Sequence, residues 1–300
     1  LIDITIDQSM LVTGCAGSGK SVIAMHKAEQ IANEGNSVIL ISLTRSLNSF
    51  MKTGRSCSSY QFYHYHYWKY LGMPSADYII VDEIQDFERE EIQEFIEAAA
   101  KHYFFFGDSA QSIYNHFGKK TLSIDEIADM TGLVPLRLYN NYRLPRNVAK
   151  ITQDYVGVNV MKYEEKVYKN KEKELPHFVH FETVDEQIKK IIEISNSNPE
   201  MSIGVLLPSN QKVIEVCEKL KLQDFDYEFK FKTEAQDKRA QGELHFTHNL
   251  PKVMTYHSAK GLQFDIVIIP MFDGANNEET RKALYVAMTR TMHQLYLMYN

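Results

Sequence analysis

Gly14-Cys15-Ala16-Gly17-Ser18-Gly19-Lys20-Ser21 fits the pattern G-x-x-x-x-G-K-[ST] at every fixed position. Met10 to Thr13, just ahead, reads as a short buried strand. Behind it, Val22, Ile23, Ala28 and Ile31 recur at helical spacing through Asn33, and Gly35 is a stop signal. Strand, glycine loop and helix together turn the pattern into chemistry. The glycines let backbone N–H groups turn inward around a chain of phosphates, and the helix N-terminus adds partial positive charge. In such a loop Lys20 reaches the β- and γ-phosphates and the Ser21 hydroxyl holds Mg²⁺. A glycine turn that merely opens a helix has no need of all eight positions. The stretch predicts a nucleoside triphosphate site.

Three hundred residues exceed what one core usually organises, so two domains are expected, with the strand–helix rhythm restarting after Pro135: residues 1–135 and 136–300. At 44% hydrophobic and 24% charged the composition is that of an ordinary globular chain. A net charge of −6 argues against coating nucleic acid by bulk positive charge, though a local basic groove remains compatible. Cys15, Cys57 and Cys217 form no pairing or metal spacing, which suits a reducing cytoplasm. Neither a signal peptide nor a membrane-spanning apolar run is visible. Starting at Leu1 rather than Met, the chain reads as a fragment or a trimmed one.

Ser37 to Thr44 and Ala76 to Val81 are apolar runs of the kind buried on both faces of a parallel sheet. The second leads into Asp82-Glu83-Ile84-Gln85-Asp86. An acidic pair at a strand's carboxyl end, downstream of a phosphate loop, suits Asp82 to Mg²⁺ and Glu83 to orienting and deprotonating the attacking water. Asp86 reads equally as a cap for a helix over 88–100. A third strand, Tyr103 to Phe106, ends in a polar cluster, 107–114, where Gln111 is placed to sense the γ-phosphate or its water. Tyr60 to Tyr70, crowded with rings, reads as surface packing or as a base-stacking platform. A metal site at His64 and His66 lacks further ligands at suitable spacing.

The second half alternates again, with strands at 177–182, 202–207, 253–256, 265–270 and 294–299 and helices at 184–196, 210–222 and 278–291. Residues 161–175, lysine-rich and mixed in charge, read as solvated surface. This half has no phosphate loop, but it carries Arg143 behind Asn140-Asn141-Tyr142, the block 255–264, and Arg290 at a helix end. Arginines contributed across a cleft to a γ-phosphate on the first domain would act as arginine fingers.

As a set, GCAGSGKS (14–21), SLTRSLNSFM (42–51), VDEIQD (81–86), GDSAQSIY (107–114), NNYRLP (140–145), TYHSAKGLQFDIVII (255–269) and YVAMTRT (285–291) resemble, in order and type, the superfamily 1A helicases of the UvrD, Rep and PcrA type. The RecD-like branch is less similar. The resemblance implies an α/β fold of two RecA-like P-loop domains and an ATP-dependent, nucleic-acid-stimulated motor stepping 3′→5′. It implies ATP and Mg²⁺ chemistry at Lys20, Ser21, Asp82 and Glu83, with Gln111, Arg143 and Arg290 reading the γ-phosphate. Tyr142 would stack on adenine, with Gly261 and Gln263 near the ribose and the γ-phosphate. Thr44, Arg45, His116, Thr255 and His257 would face single-stranded DNA, RNA not being excluded.

The departures are specific. Gln263 stands where the family has glutamate, and His116, with Phe117 beside it, where it has an aromatic stacker. The family's upstream adenine-reading glutamine has no counterpart: Gln8 sits too close to the loop. The large 1B and 2B insertions are missing, with 22 residues (55–76) in one interval and about 40 from Pro208 to Pro251 in the other. A second function follows from those short intervals: an ATP-driven switch gating a partner nuclease or defence complex without unwinding duplex.

Overall fold

Two six-stranded sheets, each parallel throughout, account for the apolar runs. The computed structural model describes residues 6–43, 59–108, 120–153, 167–171, 174–230, 244 and 249–300. Two compact units divide the chain, one of Leu1–Tyr142 with Glu165–Val167, the other of Arg143–Glu164 with Tyr168–Asn300.

In the first unit the strands are β1 (Met10–Gly14), β2 (Val38–Ser42), β3 (Gln61–His64), β4 (Ala76–Asp82), β5 (Ala99–Gly107) and β6 (Leu136–Leu138), in the spatial order β3-β2-β4-β5-β1-β6. The helices are α1 (Lys20–Asn33), α2 (Tyr65–Tyr70), α3 (Arg89–Ala98) and α4 (Ile124–Thr131). Alternation divides the strands between two cores. Val12, Leu40, Ile80, Phe104 and Phe106 pack with Ala24, Ala28 and Ile31 of α1. Leu11, Ile39, Ile41, Val81 and Phe105 pack with Ile92 and Phe95 of α3. Both faces being covered, the strands read as unbroken apolar runs.

Sequence and structure differ in places. Residues 136–138, assigned from sequence to the second domain, pair with β1 in the first sheet. The helix expected over 88–100 stops at Ala98, and Ala99 opens β5. Its N-cap is Glu88, whose backbone N–H donates to Glu91 Oε2 at 2.9 Å, while Asp86 closes a 3₁₀ turn, Ile84–Asp86. Within 60–70, Tyr65 and Trp68 are buried against Phe87 and Phe95, and Tyr67 and Tyr70 are exposed.

Two-residue strands β7 (Asn140–Asn141) and β8 (Val167–Tyr168) and helix α5 (Arg146–Gln153) precede the second sheet. That sheet contains β9 (His177–His180), β10 (Ile203–Leu207), β11 (Glu228–Lys230), β12 (Lys252–Thr255), β13 (Phe264–Ile269) and β14 (Thr291–Tyr299), ordered β11-β12-β10-β13-β14-β9. Ile188, Ile191 and Ile194 of α6 (Val184–Ser197) and Val213, Val216 and Leu220 of α7 (Asn210–Leu222) cover Val205, Val253, Ile266 and Ile268. Helix α8 (Glu278–Met288) is buried from Ala283 onward and ends three residues short of the expected 291, so Arg290 lies in the turn before β14. No described helix is long and apolar enough to cross a membrane.

Candidate functional site

Parallel pairing brings the carboxyl ends of β1, β4 and β5 to one edge of the first sheet, with Thr13 opposite Gly107 and Asp82 opposite Phe106. Polar side chains beyond that edge are the ones the sheet presents together. After β1 the chain runs through Cys15, Ala16, Gly17, Ser18 and Gly19, and α1 begins at Lys20. Gly17 (φ 82°) and Gly19 (φ 88°) have left-handed backbones that a side chain would strain. α1 has no acidic residue in its first turn and no side-chain cap, which leaves its N-terminal N–H groups to an anion. Lys20 Nζ lies over the loop, donating to the carbonyls of Gly14 (2.7 Å) and Cys15 (3.2 Å). Ser18 Oγ is buried with no hydrogen-bond partner among the described residues. A loop that supplies donors and keeps one polar atom in reserve is chemically suited to phosphate oxygens.

Ser21 Oγ donates to Asp82 Oδ2 at 2.5 Å, joining the start of α1 to the end of β4. Asp82 is fully buried. Burial first, and then the neighbouring Glu83 charge, push its carboxyl up to about 6, against the hydrogen bond from Ser21 and the charge of Lys20. Glu83 turns the chain with a left-handed backbone (φ 58°), a strained conformation for a residue with a side chain. Its Oε2 accepts from Gln85 Nε2 at 2.6 Å. Among the described residues no group of three or more His, Cys, Asp or Glu could hold a metal by itself. Ser21 with Asp82 is instead a two-oxygen set of the sort Mg²⁺ completes with water and phosphate oxygens.

The NNYR block contributes more than its sequence suggests. Asn141, almost fully buried, donates from Nδ2 to the Ala16 carbonyl at 2.8 Å, and Tyr142 N–H donates to the Gly17 carbonyl at 2.8 Å. Tyr142 is 59% exposed, its hydroxyl accepting from Asn140 Nδ2. Asn141 and Gln85 escape sequence reasoning because an isolated amide in a sequence carries no mark of what it will reach.

In the second unit, Arg143 Nε donates to Gln263 Oε1 at 3.2 Å. The Arg143 carbonyl accepts from Asn170 Nδ2, which also bonds the Met292 carbonyl. Arg290 is buried and donates to the carbonyls of Val286 (2.8 Å) and Leu262 (3.4 Å) and to Thr289 Oγ1 (3.0 Å). Gly261 has φ 81° in the turn between β12 and β13. Thr255 is buried, its hydroxyl accepting from the Ser258 N–H and donating to Ser258 Oγ, while His257 is half-buried. Thr44, Arg45, Gln111 and His116 lie outside the described residues.

Comparison with known proteins bears on these two sheets directly. The model of an AAA domain matches residues 2–117, and that of the UvrD-like helicase C-terminal domain matches residues 252–298. Among solved structures, the PRRSV helicase is similar at TM-score 0.50 and 14% identity, over 97% of this chain and 52% of that one. Arterivirus nonstructural protein 10 (helicase) is similar at 0.51 and 15%, over 97% and 59%. A complex of that protein with DNA gives 0.50 and 13%, over 97% and 61%. At such identities the likeness is one of fold, and this chain spans between half and two thirds of their length. No curated protein matches the sequence significantly. The chain is thus similar to an AAA domain over its amino-terminal part and to a UvrD-like helicase C-terminal domain near its carboxyl end, on two parallel α/β sheets.

Proposed function

We propose that this protein is an ATP-hydrolysing motor stimulated by single-stranded nucleic acid, a helicase or translocase moving 3′→5′, with the first unit as the ATP-binding domain and the second as its RecA-like partner. The observation that carries the reading is the Lys20–Ser21–Asp82–Glu83 cluster at the edge of the first sheet. In this reading the loop N–H groups and Lys20 bind the phosphates, and Tyr142 offers its exposed ring to adenine. Glu83 orients the attacking water and takes its proton. Ser21 and Asp82 would hold Mg²⁺, which when bound neutralises charge on the phosphates. Gln111, Arg143 and Arg290 read the γ-phosphate, with Gly261 and Gln263 close to the nucleotide. Thr44, Arg45, His116, Thr255 and His257 are assigned to the nucleic-acid strand.

The test is hydrolysis of ATP with and without single-stranded DNA or RNA, followed by strand displacement. Stimulation with displacement is the result expected of a helicase, and stimulation alone that of a translocase. Nucleic-acid affinity should fall steeply with salt, because phosphate contacts release counterions. The short β3–α2 segment between β2 and β4 favours a second reading, a switch that gates a partner such as a nuclease without unwinding. Hydrolysis indifferent to nucleic acid would select it.

A further inference from the structure

Gln85 has no part in the cluster as read from sequence, yet it is fully buried between two of its elements. Its amide bonds in both directions: Nε2 donates to Glu83 Oε2 at 2.6 Å, and Oε1 accepts from the Asp108 N–H at 2.9 Å. The partners fix the orientation of the amide, since an ionised carboxylate only accepts and a backbone N–H only donates. One group must therefore offer a donor on one side and an acceptor on the other. Glutamate at this position would turn a lone pair toward Glu83, and methionine would satisfy neither partner. The space for the amide is made by Gly107, where an added Cβ would meet Gln85 Oε1 at 2.7 Å, Ile124 Cδ1 at 2.7 Å and Ile84 Cγ2 at 2.8 Å.

We propose that Gln85 is a positioning residue for hydrolysis: its amide spans from the end of β5 to Glu83 and fixes the carboxylate that orients water, with Gly107 as the seat of that bridge. Glu83 needs such a tether. It sits at a left-handed turn just past β4, so the sheet does not fix its direction as it fixes that of Asp82. The inference rests on the catalytic reading of Glu83 given above.

The experiment compares wild type, Gln85→Met, Gln85→Asn, Glu83→Gln and the double variant Glu83→Gln/Gln85→Met. It reads kcat and KM for ATP, the Kd of a non-hydrolysable ATP analogue, and Tm. With Gln85→Met, kcat should fall about 10–100-fold, a part of the roughly 10²–10⁴ that a positioned base contributes, while analogue Kd stays within about twofold. Gln85→Asn keeps the amide but shortens its reach, so it should also lower kcat, and it stands in if the methionine variant does not fold. In the Glu83→Gln background the Gln85→Met loss should vanish, which a merely structural role would not produce. Wild-type turnover in both single variants beside an inactive Glu83→Gln would overturn the inference and leave the catalytic reading standing. A Gln85→Met loss that persists undiminished in the double variant would also overturn it. A Glu83→Gln variant as active as wild type would remove the catalytic reading, and this inference with it.

Discussion

Replacing Asn141 tests whether the phosphate loop is held from outside itself. Its Nδ2 donates to the Ala16 carbonyl at 2.8 Å, and both residues are buried. Asn141→Leu keeps the approximate volume and removes the donor. A buried carbonyl that loses its partner costs about 1–3 kcal/mol, unless the loop relaxes to find water. If it relaxes, the loop must return to its held conformation when a triphosphate binds, and the cost then appears in affinity. At 1.4 kcal/mol per factor of ten, about 1–2 kcal/mol raises Kd roughly 5–30-fold. Asn141→Asp should be worse. It also loses the donor, and it adds a negative charge beside the loop proposed to hold phosphates, a penalty that salt should reduce. The assay is titration of a fluorescent ATP analogue at low and high salt, with melting measured in parallel. An unchanged Kd in Asn141→Leu, with only Tm lowered, would refute the tether and make this an ordinary core hydrogen bond.

Other outcomes follow from separate parts of the molecule. Arg143→Ala should lower ATP turnover by about 10³–10⁵ while analogue binding persists, as expected of an arginine finger; steady-state kinetics beside a binding titration decides. Lys252 and Glu228 are buried side by side on β12 and β11, with Nζ 3.7 Å from Oε2, and burial holds the Lys252 ammonium below its usual range. Lys252→Met alone should destabilise the second unit by about 3–5 kcal/mol, and Lys252→Met/Glu228→Leu should recover most of that in urea melts. Burial pushes the Cys217 thiol from 9.0 up to about 12, so the folded chain holds a proton that the unfolded chain releases. Its contribution to stability is complete below pH 9 and lost as pH rises toward 12. Mass spectrometry after brief alkylation at pH 8 should find Cys217 unmodified in folded protein and labelled in denaturant.

Elements with a local signature are legible in the amino-acid sequence alone. The glycine loop between β1 and α1, the run ending in Asp82-Glu83, and most strands and helices fall within a few residues of where their patterns predict, because each is written within a dozen positions. The differences lie where local patterns compete. Ala99 continues a helical pattern but pairs beside Ala76, and Leu136 follows a proline that looks like a boundary but closes the edge of the first sheet. Asp86 reads as the cap of α3, but the path of the chain gives that place to Glu88.

The parallel α/β character and the glycine loop between β1 and α1 are legible in the sequence by itself. Both follow from apolar periodicity and from glycines whose backbone freedom no other residue supplies. Only the tertiary structure decides that Asn141, 125 residues from Ala16, holds that loop, and that one amide at Gln85 joins Glu83 to the end of β5. Strand order is the physical reason. Hydrophobic burial drives strands into a sheet without regard to their distance along the chain, and the order that results determines which polar ends meet.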